Sequence, residues 1–113
     1  MHKHNKLRAE RKSWALDQAE IAALIGISPG SLHKFERAHR RPGTLEVAIG
    51  LELALGKSLA ELYPRLAGAM ANRIAHNAGD LSARLEFRTG PVAERKREFL
   101  GELAERLHNA LEA

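Results

Sequence analysis

Residues 17–42 read DQAEIAALIGISPGSLHKFERAHRRP. They lay out two short helices about a glycine turn, with a basic loop behind the second helix. Asp17 is a good N-cap, and Glu20 sits three residues later, as a capping box requires. Ile21, Ala22, Leu24 and Ile25 supply an apolar face at helical spacing. Gly26 permits the left-handed backbone that ends a helix, and Ile27 can return to the core. Ser28 caps the next helix, and Pro29 suits its first position, where a missing N–H costs nothing. Ala22 and Gly26 are expected to be small for packing reasons, because helices crossing at a short turn leave little room.

Leu32 and Phe35 are three apart and share one face of the second helix. If that face points inward, Gly30, Ser31, His33, Lys34 and Arg37 lie on or near the outward face. Arg37, His39, Arg40 and Arg41 crowd the exit of the same helix. A helix-turn-helix of this form places its second helix in the major groove of DNA. A basic loop at that exit lies where a duplex backbone passes, which favours phosphate contact over a merely solvated charge run. The alternative is a generic helical hairpin.

Gln18, Ala22, Gly26, Ile27, Ser28, Leu32, Phe35 and Glu36 recur at set intervals, followed by Arg40, Arg41 and Pro42 and then by Leu55-Gly56, Leu59 and Leu62. On these residues the segment from about Leu7 to Leu62 resembles the Cro and phage-repressor type helix-turn-helix domain, the XRE family. The resemblance implies an all-α fold, a five-helix lambda-repressor-like bundle with a C-terminal α-helical extension. It implies that Gln18 bonds a phosphate and that outward residues of the third helix meet base edges. It also implies that Glu36 pairs with an arginine of the first helix, Arg11. The sequence departs from the family pattern at Glu10, where an apolar residue is usual. It departs again at Pro29-Gly30, where relatives often carry long polar readers. Base readout then falls on Ser31, His33 and Lys34, or on DNA shape. The expected DNA-binding set is Gln18, Ser28, Gly30, Ser31, His33, Lys34, Arg37, Arg40 and Arg41.

The charge distribution agrees. The 113 residues carry a net charge of +4. Residues 1–43 hold nine Lys/Arg and four Asp/Glu, a net of +5, and residues 44–113 hold nine and ten, a net of −1. The basic excess thus sits with the motif. Lys3, Lys6, Arg8, Arg11 and Lys12 are further candidates for phosphate contact, against the alternative of ordinary solubilising charge. The absence of cysteine excludes disulfides and thiolate metal sites and fits a reducing cytoplasm. No apolar run approaches the roughly 20 residues of a membrane span. The first residues show no apolar stretch of a secretory signal. The expected location is the cytoplasm.

Five helices are expected over residues 5–64. The first spans about Asn5 to Trp14, with Leu7 inward and Trp14 partly buried. Thr44 caps a fourth helix whose buried side is Leu45, Ala48, Ile49, Leu51 and Leu55, ended by Gly56. Ser58 caps a short fifth helix closed by Pro64. Residues 65–113 form a helical extension for dimerisation or partner binding. Leu66, Met70, Ile74, Ala78, Leu81 and Leu85 recur every three or four residues. His76-Asn77-Ala78-Gly79-Asp80 is a candidate break. Thr89-Gly90-Pro91 marks a turn and a helix start, and the last helix aligns Phe99, Leu100, Leu103, Leu107 and Leu111. Stripes of this size pack on the bundle, pair with a second copy of the chain, or bind another protein. A dimer is preferred, because one reading helix discriminates weakly and two on a palindrome act together. The run LELALG…ELYP with its helical tail also resembles small regulators from integrative mobile elements.

No catalytic constellation is apparent. The histidines are His2, His4, His33, His39, His76 and His108. His2 and His4 could chelate a divalent metal weakly, but a flexible tail is the better reading. No spacing supports a structural zinc. Ser28 and Ser31 lie near His33, but Ser28 is needed as a cap and no acid completes a triad. The expectation is a binder of double-stranded DNA with no enzymatic activity, cofactor or metal. It is a transcriptional regulator, most simply a dimeric repressor on a palindromic operator. The alternative is an antitoxin that autoregulates through the same domain and holds a toxin with its C-terminal helices.

Overall fold

In the computed structural model, which describes residues 5–112, seven helices follow one another: α1 Leu7–Ser13, α2 Gln18–Ile25, α3 Pro29–Glu36, α4 Leu45–Leu55, α5 Leu59–Leu62, α6 Pro64–Leu85 and α7 Pro91–Glu112. The chain divides into two compact units, one ending at Leu66 and the other beginning at Ala67. His2, Lys3 and His4, three of the expected candidates, lie outside the described residues.

Local chemistry sets the helix ends of the first unit. Asp17 and Glu20 close a capping box on α2, and Ser58 and Glu61 close another on α5. Ser28 and Thr44 cap α3 and α4 through Ser31 N and Val47 N. Gly26 and Gly56 end α2 and α4 in the left-handed region, at φ of 87° and 71°. Around Gly26 a Cβ would meet open space, so backbone conformation, and not close packing, is what requires glycine there. The packing argument holds for Ala22, which is fully buried. The close approach lies elsewhere. A Cβ on Gly50 would come 3.0 Å from Ile25 Cγ2, where α4 crosses α2.

These helices enclose one core of Leu7, Ile21, Ala22, Leu32, Phe35, Leu51, Leu55 and Leu62, with Leu16, Ile25, Ile27, Val47 and Tyr63 packed against it. Three expectations about burial fail. Trp14 is 67% exposed, because α1 stops at Ser13 and the chain turns through Ala15 at φ 58°. Leu24 is also exposed. On α4, Leu45 (70% exposed) and Ile49 face solvent with Leu53, while Leu51 and Leu55 are buried. That helix is apolar on nearly every side, so the sequence does not choose its inner face. Contact with α2 at Gly50 does.

Tyr63 buries its hydroxyl, which finds no hydrogen-bond partner among the described residues. Burial pushes its phenol up to about 12, against a smaller opposing pull from Arg41. The fold therefore favours the neutral ring. Stability is complete below the free phenol value of about 10 and is lost as pH rises through about 12. Tyr63→Phe is expected to gain about 1 kcal/mol at pH 7, by removing an unpaired hydroxyl. It should also abolish the loss between these pH values. Urea unfolding at neutral and alkaline pH checks both, and a loss of stability at pH 7 would mean the hydroxyl is bonded.

In the second unit the expected break at residues 76–80 is absent. α6 runs unbroken to Leu85. One glycine costs about 1 kcal/mol in a helix, and an alanine-rich stretch absorbs it. Gly90, at φ 102°, and Pro91 make the turn into α7. Arg97 donates Nη2 to the carbonyls of Leu85 and Arg88, tying α7 to the connecting loop. Leu81 of α6 shares a groove with Arg95, Phe99 and Glu102 of α7. Leu85 and Ala93 are buried, whereas Met70, Ile74, Phe99 and Leu111 remain exposed.

Candidate nucleic-acid interface

The frame of the site is an ion pair. Arg11 Nε lies 2.7 Å from Glu36 Oε2, and its Nη2 lies 3.0 Å from Oε1. The Glu36 side chain is 2% exposed. Arg11 Nη1 also donates to Leu16 O at 2.8 Å. The bond to Glu36 raises the Arg11 guanidinium above its ordinary value, against the opposing effect of burial. This pairing is the one the family resemblance implied. It removes Arg11 from the candidate phosphate contacts, since the residue is buried and three of its five N–H groups are bonded inside the fold. At the start of α1, Asn5 Nδ2 donates to Phe35 O at 2.9 Å, a second tie between α1 and α3. Both ends of α3 are thus fixed, by the Ser28 cap and by these α1 contacts.

The inner face of α3 is Leu32, Phe35 and Glu36, all buried. Ser31 is half-buried, and Gly30, His33, Lys34 and Arg37 are exposed on the remaining face. Ser28 Oγ accepts from Ser31 N and donates to Ser31 Oγ, both at 3.0 Å. Ser31 Oγ also accepts from Arg40 Nη2 at 3.0 Å. With those bonds accepted, the Ser31 hydroxyl keeps its own hydrogen for an outside acceptor. Arg40 folds back so that its guanidinium stands 5.5 Å from the centre of the Phe35 ring. Ala38, at φ 59°, makes the turn that brings His39, Arg40 and Arg41 round to the end of α3, where His39 N and Arg40 N bond Lys34 O. His39 and Arg41 are exposed.

Gln18 faces inward more than expected. Its Nε2 donates to Glu36 Oε1 at 3.0 Å and lies 3.4 Å from His33 Nδ1. The link to His33 carries no sequence signal, since the two residues are fifteen apart. Gly30 leaves space: a Cβ there would have only Ser28 Oγ nearby, at an ordinary 3.9 Å. Among the described residues no group of His, Cys, Asp and Glu could hold a metal ion. No described helix is long and apolar enough to cross a membrane.

The geometry is that of a short helix held rigidly from behind, with polar and cationic side chains in front and a glycine turn before it. Residues 7–62 match the family described as helix-turn-helix. The chain belongs to the XRE-type helix-turn-helix family. No curated protein and no solved structure matches it. As a member of this family it is a DNA-binding transcriptional regulator, of a kind that is generally non-enzymatic.

Proposed function

We propose that this XRE-family regulator is a sequence-specific repressor that binds a palindromic operator as a dimer and reads it through α3. The observation that carries this reading is the outward face of α3. Ser31, His33 and Lys34 stand there between the Ser28 turn and a cluster of His39 with the cations Arg37, Arg40 and Arg41. Lys34 and the Ser31 hydroxyl offer donors to base edges, and Arg37, Arg40 and Arg41 border the groove where phosphates run. Base contact is short in length, since α3 has only two turns. Two copies spaced by about 34 Å on one face of the duplex supply the missing discrimination.

Exposed apolar side chains support pairing. Met70, Ile74, Phe99 and Leu111 lie on the C-terminal helices, and Leu45, Ile49 and Leu53 form a row along α4. A dimer that covers either row removes it from water. Bound over a promoter, such a dimer blocks polymerase. The same C-terminal row favours a second reading, an antitoxin that autoregulates through α3 and holds a toxin with α6 and α7.

The test is binding of the full chain to DNA from upstream of its own gene and to random duplex, across a salt series, with the solution mass of the free protein. The expected result is a dimer mass and a preference for the upstream DNA of about 10³-fold or more. Affinity should fall steeply as salt rises. Equal weak binding to both DNAs would overturn the specific-repressor reading. A tightly held small second protein would move the assignment to the antitoxin.

A further inference from the structure

We propose that Gln18 is a positioning residue that fixes the ring tautomer of His33, so that His33 reads an acceptor on a base edge, guanine above all. This rests on the DNA-reading assignment above.

The inference begins at a buried carboxylate. Glu36 already takes two bonds from Arg11, and an ionised carboxylate only accepts. The end of the Gln18 amide that lies 3.0 Å from Glu36 Oε1 is therefore the NH2 end. This settles the orientation of the amide on chemical grounds. The same nitrogen lies 3.4 Å from His33 Nδ1. An amide NH2 has two hydrogens to give and nothing to accept with. A hydrogen on Nδ1 would set two donors against each other. Of the two neutral tautomers, the favourable one leaves Nδ1 bare and carries its hydrogen on Nε2. Nε2 lies across the ring from Nδ1, and so away from Gln18. His33 is exposed on the reading face of α3.

Two consequences distinguish this from a phosphate-binding glutamine. Both hydrogens of the Gln18 amide are committed inside the protein, one to Glu36 and one to His33. And the element presented to DNA is a single imidazole donor. In the major groove guanine offers two acceptors side by side, N7 and O6, while cytosine offers a donor. The ion pair that anchors α3 thus also orients one of its readers, through the sequence Arg11, Glu36, Gln18, His33.

The experiment has two arms. The first is a long-range ¹H–¹⁵N correlation spectrum of the histidine rings in the free full-length protein, in mildly alkaline buffer. His33 is expected to carry its hydrogen on Nε2 alone, and Gln18→Ala to give a mixture of both ring forms. A hydrogen on Nδ1 in the unsubstituted protein, or identical His33 signals in the two proteins, would overturn the proposal. This arm needs no DNA, so its failure is separable from failure of the regulator assignment.

The second arm measures affinity for the selected operator with every base pair changed in turn. Gln18→Ala and His33→Ala are each expected to lose about tenfold preference at the same guanine-bearing position of each half-site. Together they should lose no more than either alone, with random-duplex affinity unchanged. A uniform loss on all DNA with a shallower salt slope for Gln18→Ala would mean a phosphate contact, and would overturn the proposal. Thermal unfolding of each variant confirms that the bundle is intact.

Discussion

Glu36→Ala is expected to destabilise the DNA-binding unit by about 3–5 kcal/mol, the largest effect of any single substitution proposed for this protein. The residue gains little from charge alone. Its value lies in the three donors that converge on it, two from Arg11 and one from Gln18. Truncation leaves a guanidinium with 9% of its side chain exposed and no counter-ion. Small domains hold roughly 0.05–0.15 kcal/mol per residue, so such a loss consumes most of the stability of a unit of this size. Urea unfolding followed by helical circular dichroism measures it. Replacing both partners, with Arg11→Met and Glu36→Leu together, is expected to restore most of the loss, because no stranded charge remains. A cost below about 1 kcal/mol for Glu36→Ala would mean the pair behaves as a solvated surface bridge.

The second large effect concerns binding. Arg37→Ala combined with Arg41→Ala is expected to weaken binding about 100-fold or more at moderate salt, by two charge-assisted bonds. It should reduce the slope of log affinity against log salt by about 2. The loss should be equal on operator and random DNA, because phosphates carry no sequence. Lys34→Ala is expected to behave differently, losing operator affinity while random-duplex affinity changes little. Parallel salt titrations of these variants separate the two roles. Equal losses on both DNAs for Lys34→Ala would remove it from the base readers. Arg40 is left out of the pair, because its stacking on Phe35 and bond to Ser31 give it a structural share.

Much of the DNA-binding unit was legible because its signals are local. Asp17, Ser28, Thr44 and Ser58 announce helix starts within three residues, and Gly26 and Gly56 announce helix ends. The Arg11–Glu36 pair spans 25 residues and came from family resemblance alone. What sequence reasoning missed is decided by helix crossings. The tight approach at Gly50, the outward turn of Leu45 and the meeting of Gln18 with His33 depend on where α4 and α3 lie against α2. No residue pattern within one helix states that. The false break at residues 76–80 has the opposite cause. His76, Asn77, Gly79 and Asp80 are poor helix formers, but the flanking alanines sustain α6. In the reading face, residue types were visible but not their bonds, so Ser31, Gln18 and Arg40 emerged as parts of networks only in three dimensions.

Gly30 opens a route to changed specificity. The position is exposed near the start of a reading helix whose packing is completed by other residues, and a side chain added there displaces nothing. On the proposed reading through α3 it is, in evolutionary terms, a free variable: new operators become accessible by one substitution at little cost to the scaffold. For the same reason it is the position to randomise first when retargeting the protein, because selection at that codon samples recognition almost independently of folding.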